Sequence, residues 1–159
     1  MNQNFRQSTG YHNSVQGKKP FNGGTNGNTV NFKLPDFNSK DLLGDEAERL
    51  AREITRSGKL TTSQIRNFYS EVKNIENLLK ANNTLWEKLY GRIKLIKAKA
   101  VYNANRGQKT LNIPEEFKEF LCQAINKITP DEDGKKNFTI FCQLFEAVVG
   151  YSSAYTRNQ

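Results

Sequence analysis

The sequence predicts an all-α fold, a compact helical bundle of about five helices behind an N-terminal tail, and three observations carry that reading. From residue 39 onward apolar residues recur at spacings of three and four, the repeat of a single helical face. The periodic stretches are separated by helix caps and breakers such as Gly58, Pro114 and Pro130. The alternation of two that marks a strand is missing from the same region.

Residues 1–38, "MNQNFRQSTGYHNSVQGKKPFNGGTNGNTVNFKLPDFN", are rich in Asn, Gly, Gln, Ser and Thr. They have no helical period and scatter their aromatics too widely to build a core, which predicts a disordered tail. Two roles fit it: a solubilising leader, or weak attraction for phosphates through Arg6, Lys18, Lys19 and Lys33. Residues 39–159 then form the folded unit, in a chain whose 159 residues suit one domain with a sizeable core.

The first helix is expected over about 41–57, with Leu43, Ala47, Leu50, Ala51 and Ile54 on one face and Gly58 ending it in a left-handed conformation. The second spans about 61–80. Thr61 and Gln64 have the spacing of a capping box, Leu60 and Ile65 that of a hydrophobic staple. Its buried stripe is Ile65, Phe68, Tyr69, Val72, Ile75 and Leu79, and Arg66, Ser70 and Lys73 fall together opposite. In the third, about 84–105, Leu85, Leu89, Ile93, Ile96 and Ala100 stack into one stripe at about 100° per residue. Lys88, Arg92, Lys99 and Arg106 flank it within about 40° of one another, and Lys94 and Lys97 lie on the other side.

The fourth helix starts near Pro114, followed by Glu115 and Glu116 where the helix dipole favours acids, and stops before Pro130. Phe117, Phe120, Leu121, Ala124, Ile125 and Ile128 face inward. "PDEDGKK", 130–136, reads as a turn, too short for a calcium loop. The fifth helix, about 137–152, carries Phe138, Ile140, Phe141, Cys142, Leu144, Phe145, Val148, Val149 and Tyr151 around well over half its circumference, so it belongs at the centre of the bundle. Glu146, on its narrow polar side, is expected to be partly buried and to seek an arginine or a backbone amide.

The formal net charge of +8 favours a polyanionic partner such as nucleic acid. No apolar run approaches the roughly 20 residues that cross a bilayer, and the N-terminus lacks a signal-peptide apolar region, so the chain reads as cytoplasmic with no membrane partner. Cys122 and Cys142 sit in apolar helical patterns without a CxxC, which predicts buried free thiols and no metal site. The single histidine, His12, belongs to the tail, removing most nucleophile and metal schemes. Gly23 and Gly24 lie in low-complexity sequence rather than in a phosphate loop. Asp131, Glu132 and Asp133 are adjacent loop residues, not carboxylates facing each other across a cleft. The chain therefore reads as no enzyme, with no cofactor.

The positive feature is cationic: Lys88, Arg92, Lys97, Lys99 and Arg106 in or beside the third helix, Arg66 and Lys73 from the second, and Arg52, Arg56 and Lys59 near the end of the first. Cations at helical spacing meet successive phosphates, and Gln64, Asn67 and Asn103 can bond sugars or phosphates without reading sequence. An equal reading makes "RIKLIKAKA" the solvated side of an amphipathic helix whose lysine stems cover apolar surface. Tyr69, Trp86, Tyr90 and Tyr102 have rings that can stack on bases, and also the spacing of core residues.

Three stretches, "LTTSQIRNFYSEV" at 60–72, "VYNANRG" at 101–107 and "FCQLFEAVVGY" at 141–151, together resemble the small subunit of the type III-A CRISPR effector, the Csm complex. The resemblance runs from about residue 60 to 155. It implies a non-catalytic helical bundle serving antiviral defence, several copies of which stack along the backbone subunits that carry the guide (CRISPR) RNA. Such subunits touch mainly the phosphate backbone of the target RNA, while cleavage and signalling belong to other subunits. The partners implied are target RNA, guide RNA, the other Csm subunits, and copies of the chain itself as a filament or dimer. Carried onto this sequence, the contacts fall at Lys59, Thr62, Gln64, Arg66, Lys97, Lys99 and Arg106, to which the cationic pattern adds Lys73 and Arg92. The Asn/Gly-rich leader departs from the family's compact start, so no role for it is carried over. The alternative is a free-standing helical DNA-binding regulator, for which a tight turn between two short helices is missing. A third reading is a pure protein scaffold.

Overall fold

The structure, a computed structural model, describes residues 30–107 and 112–156. Five α-helices form among them: α1 (Asp45–Thr55), α2 (Thr62–Ala81), α3 (Trp86–Asn105), α4 (Glu115–Asn126) and α5 (Glu132–Ser152), with a 3-10 turn at Asn83–Leu85 leading into α3. The expected tail over residues 1–29 lies outside the described residues.

The helices close into a ring in which α1 touches α5 and α4, α3 touches α4 and α2, and α2 returns to α5. Phenylalanines fill the middle. Phe120 meets Phe145 edge-on at 5.4 Å, Phe141 stacks on Phe145 at 5.7 Å, and Phe68 of α2 meets Phe117 of α4 at 5.6 Å. Phe138, Phe141, Leu144, Phe145 and Val148 are fully buried, as the apolar girth of the last helix predicts. That girth is narrower than expected, since Ile140 and Val149 are only partly buried and Tyr151 is exposed, and α5 is one member of the ring with Lys136, Thr139, Gln143, Glu146 and Gly150 exposed, not the centre that the sequence suggested. Cys122 and Cys142 are buried and free.

The caps explain where helices begin. In α2 the capping box is complete: Thr61 Oγ1 accepts the Gln64 amide at 3.2 Å, and Gln64 Oε1 accepts the Thr61 amide at 3.0 Å. Gly58 adopts φ 66° after α1, the left-handed position that a glycine takes without cost.

Three boundaries differ from expectation. Residue 41 does not start α1. Tight turns, Leu42 N–H to Ser39 O and Gly44 N–H to Asp41 O, delay the helix to Asp45, so Leu42 points inward and Leu43 is 45 % exposed. The "PDEDGKK" link is helix rather than turn from Glu132 onward. Asp131 caps it by accepting the Gly134 amide at 2.8 Å and the Thr129 hydroxyl at 2.6 Å, and Glu132 and Asp133 occupy the acid-favouring first turn. Asp131, Glu132 and Asp133 are thus a helix start, not loop residues. The helix α4 ends at Asn126, and Ile128 stays buried beyond it.

The tail expected up to residue 38 does not extend over residues 30–38. Phe32, Leu34 and Phe37 are buried in the common core, and the Gln123 side chain of α4 binds this strap through its amide: Oε1 accepts the Leu34 N–H and Nε2 donates to Phe32 O, both at 3.1 Å. Arg49 Nη2 of α1 donates to Lys33 O at 3.1 Å. Val30, Phe32 and Leu34 alternate with Asn31 and Lys33, the period of an extended chain with one face buried.

No helix among the described residues is long and apolar enough to cross a membrane. Gly134 is where the chain has no room for a side chain: a Cβ there would sit 1.9 Å from Thr129 O. Gly134→Ala is expected to destabilise the bundle by about 1–3 kcal/mol, measured by chemical denaturation, whereas Gly91→Ala, with open space around it, should be neutral or stabilising as an exposed helix-interior change.

Candidate nucleic-acid interface

The cations singled out in the sequence are distributed over three flanks of the bundle, because α2 and α3 each offer two sides to different neighbours. Toward α5, Lys73 Nζ bridges Glu76 and Glu146, each at 2.9 Å, and Thr62 Oγ1 donates to Thr156 Oγ1 at 3.2 Å. Arg66, four residues from Thr62 and seven from Lys73, shares this side of α2; it is exposed and makes no ion pair among the described residues. Glu146 is therefore an exposed partner of a lysine, not the partly buried partner of an arginine or a backbone amide that the sequence suggested.

Toward α4, Lys94 Nζ donates to Ile125 O at 3.0 Å and Ile128 O at 2.8 Å, and Lys97 Nζ donates to Asn126 Oδ1 at 2.7 Å. An ammonium satisfying the last carbonyls of a helix, at the negative end of its dipole, is a structural use of charge. The cations of α1 are also engaged, Arg52 by Glu48 at 2.5 Å and Arg56 by Glu116 at 3.4 Å. Neither converges with the third helix.

Between α2 and α3 the arrangement is different. Glu71, Ile75, Arg92, Leu95, Ile96 and Lys99 line an open groove of about 300 Å³. Lys99 Nζ pairs with Glu71 Oε1 at 2.5 Å and lies 5.3 Å from the centre of the Phe68 ring. Arg92 and Lys88, on the same side of α3, are exposed with no ion pair among the described residues. At the end of α3, Arg106 Nη1 donates to Asn103 Oδ1 at 3.2 Å and makes no ion pair among the described residues. Lys59, in the link before α2, is likewise exposed without an ion pair among the described residues.

Of the aromatics weighed as base stackers, three belong to the packing. Trp86 is buried and donates Nε1–H to Pro130 O at 2.7 Å, Tyr69 meets Phe145 edge-on at 5.7 Å, and Tyr90 is partly buried with Lys94 Nζ at 4.9 Å from its ring centre. Tyr102 is 66 % exposed and Leu95 67 %. On the α3 wheel Leu95 lies within about 60° of both Arg92 and Lys99, and Tyr102 about 60° from Lys99 and about 80° from Arg92. Sequence reasoning passed over Leu95 and Glu71; the available signal was an apolar residue standing outside the stripe formed by Leu89, Ile93, Ile96 and Ala100.

Titration chemistry offers little for catalysis. Burial pushes the Cys122 and Cys142 thiols up, away from the reactive thiolate. No group of three or more His, Cys, Asp and Glu residues suited to a metal ion occurs among the described residues. Glu76 is the one perturbed acid near the core: burial works to raise its pKa, but hydrogen bonds from Lys80 and Lys73 outweigh it and hold the carboxyl below its ordinary range. The same bonds, from Glu76 first and Glu146 next, raise the Lys73 ammonium. Glu76 is a structural clamp on α2, not a site.

The model of the Csm2 Type III-A family matches residues 38–158, most of the chain and all five helices of the ring. No curated protein and no solved structure matches the chain. The strap carrying Phe32, Leu34 and Phe37 precedes the matched region.

A carboxyl whose pKa is lower folded than unfolded stabilises the fold above the ordinary carboxylate range, and that contribution is lost as pH falls through its folded value. Glu76→Gln should therefore cost about 1–2 kcal/mol near neutral pH, and the gap to the native protein should shrink progressively in acid. Denaturant unfolding of both proteins across the acidic range checks it.

Proposed function

The chain belongs to the Csm2 Type III-A family, the small subunit of the type III-A Csm complex of CRISPR defence, and from that premise we propose that it is a non-catalytic, cytoplasmic subunit holding the target RNA by its sugar-phosphate backbone. The observation that carries this reading is the side of α3 that faces α2, where Lys88, Arg92, Lys99 and Arg106 follow one another and Lys88 and Arg92 meet no acid among the described residues. Free guanidinium and ammonium groups at helical spacing suit a chain of phosphates. Base pairing between guide and target supplies the sequence specificity, so a protein surface that binds backbone is sufficient.

Within this proposal the nine predicted contacts separate by their chemistry. Arg92, Lys99 and Arg106 take phosphates along α3, and Lys59 and Arg66 do so near the start of α2. Gln64 and Thr62 first hold the helix start in place, and Lys73 and Lys97 serve mainly the fold, since carboxylates or an amide oxygen already engage their ammonium groups. Guide RNA, the other Csm subunits and neighbouring copies of this chain complete the proposed surroundings, with several copies stacked along the guide-target duplex.

Arg66→Glu combined with Arg92→Glu in the guide-loaded complex should weaken target RNA binding at least tenfold near physiological salt. Each lost contact should also reduce the slope of log affinity against log salt by about 0.7–0.9. Filter binding across a salt series measures both. Unchanged affinity would overturn the proposal, as would tight sequence-specific binding of duplex DNA by the isolated chain.

A further inference from the structure

The groove between α2 and α3 mixes features that a merely solvated helix side would not bring together: two cations, one acid and an apolar residue two-thirds exposed. Arg92 and Lys99 stand beside Leu95, over a floor of Ile75 and Ile96, with Glu71 opposite from α2. The Lys99–Glu71 pair is open to solvent on both sides, with side chains 41 % and 43 % exposed. Such a pair contributes little to stability. Its effect lies elsewhere: it places a negative charge inside a positive groove and occupies one of the groove's donors.

Resting on the RNA-holding reading above, we propose that this groove is a ribose-phosphate subsite in which Glu71 acts as a built-in competitor for Lys99, setting how tightly the target strand is held. Charge complementarity selects the occupant. The cations along this side of α3 outnumber Glu71, so a polyanion is attracted, while Leu95 and, two helical turns on, Tyr102 offer apolar surface to a sugar or base face. An incoming phosphate takes the Lys99 ammonium only by displacing the Glu71 carboxylate, and Arg92, already free, makes the first contact. A competing acid weakens binding without altering which sequence is bound, because it meets only backbone.

The test uses the guide-loaded complex and a complementary target RNA, with affinity measured across a salt series. Glu71→Gln, which keeps the side chain's size and removes its charge, should tighten binding about three- to tenfold near 0.1 M salt and steepen the salt slope by up to about 0.7–0.9, the value of one recovered phosphate contact. Adding Lys99→Met should abolish that gain. Leu95→Glu should weaken binding. If Glu71→Gln changes neither affinity nor slope while Arg66→Glu with Arg92→Glu still weakens binding, the competitor role is wrong and the RNA-holding reading stands. If the gain persists in Lys99→Met, Glu71 acts by bulk charge and the competition is refuted. If Glu71→Gln or Leu95→Glu instead changes the number of copies of this subunit in the assembled complex, the groove is a protein interface and the subsite is overturned.

Discussion

Everything in this fold follows from the apolar girth of α5. A helix with Phe138, Phe141, Leu144, Phe145 and Val148 fully buried while Lys136, Thr139, Gln143, Glu146 and Gly150 stay exposed turns one wide apolar face inward, so its neighbours must pack against that face and the aromatic rings of α4. The result is a ring in which every helix has two principal neighbours. That ring decides the fate of the charges. Polar residues flanking each buried stripe are brought to the seams between helices, and whether a lysine is neutralised depends on what the neighbouring helix carries at that level.

The seams differ accordingly. At the α3–α4 seam the facing groups are carbonyls in the last turn of α4 and just beyond it, so Lys94 becomes a cap. At the α2–α5 seam the facing group is the Glu146 carboxylate, so Lys73 becomes a cross-link between Glu76 of its own helix and Glu146 of α5. At the α2–α3 seam one acid, Glu71, faces several cations. Positive charge is left over there, and an apolar side chain is left over beside it. The net charge of the chain favours a polyanionic partner, and the pattern of neutralisation leaves unpaired positive charge at this seam.

Much of this was readable in the sequence, for identifiable reasons. Helices with strong local signals came through: the Thr61–Gln64 box, Gly58 after α1, and the apolar stripes of α2 and α3 each rest on residues within a few positions of one another. Three-residue acid runs misled, because Asp131, Glu132 and Asp133 next to a proline and a glycine resemble a turn until the Asp131 cap is seen. The strap was missed because Phe32, Leu34 and Phe37 have no helical period of their own and join a core whose hydrogen-bonded anchor, Gln123 of α4, lies about 90 residues away. The candidate site was legible as a set of residue types but not as a surface. Helical periodicity places Lys97 and Lys99 on opposite sides of α3, yet only the neighbours α4 and α2 determine that one meets an amide oxygen and the other an exposed carboxylate.

The central claim is positional, that target RNA runs along the α2–α3 seam, and proximity tests it most directly. A photo-crosslinking amino acid placed at Leu95 in the guide-loaded complex should join this subunit to the target strand on irradiation, while the same group at Leu43, exposed before α1, should not. Crosslinking at Leu43 but not at Leu95 would contradict the account.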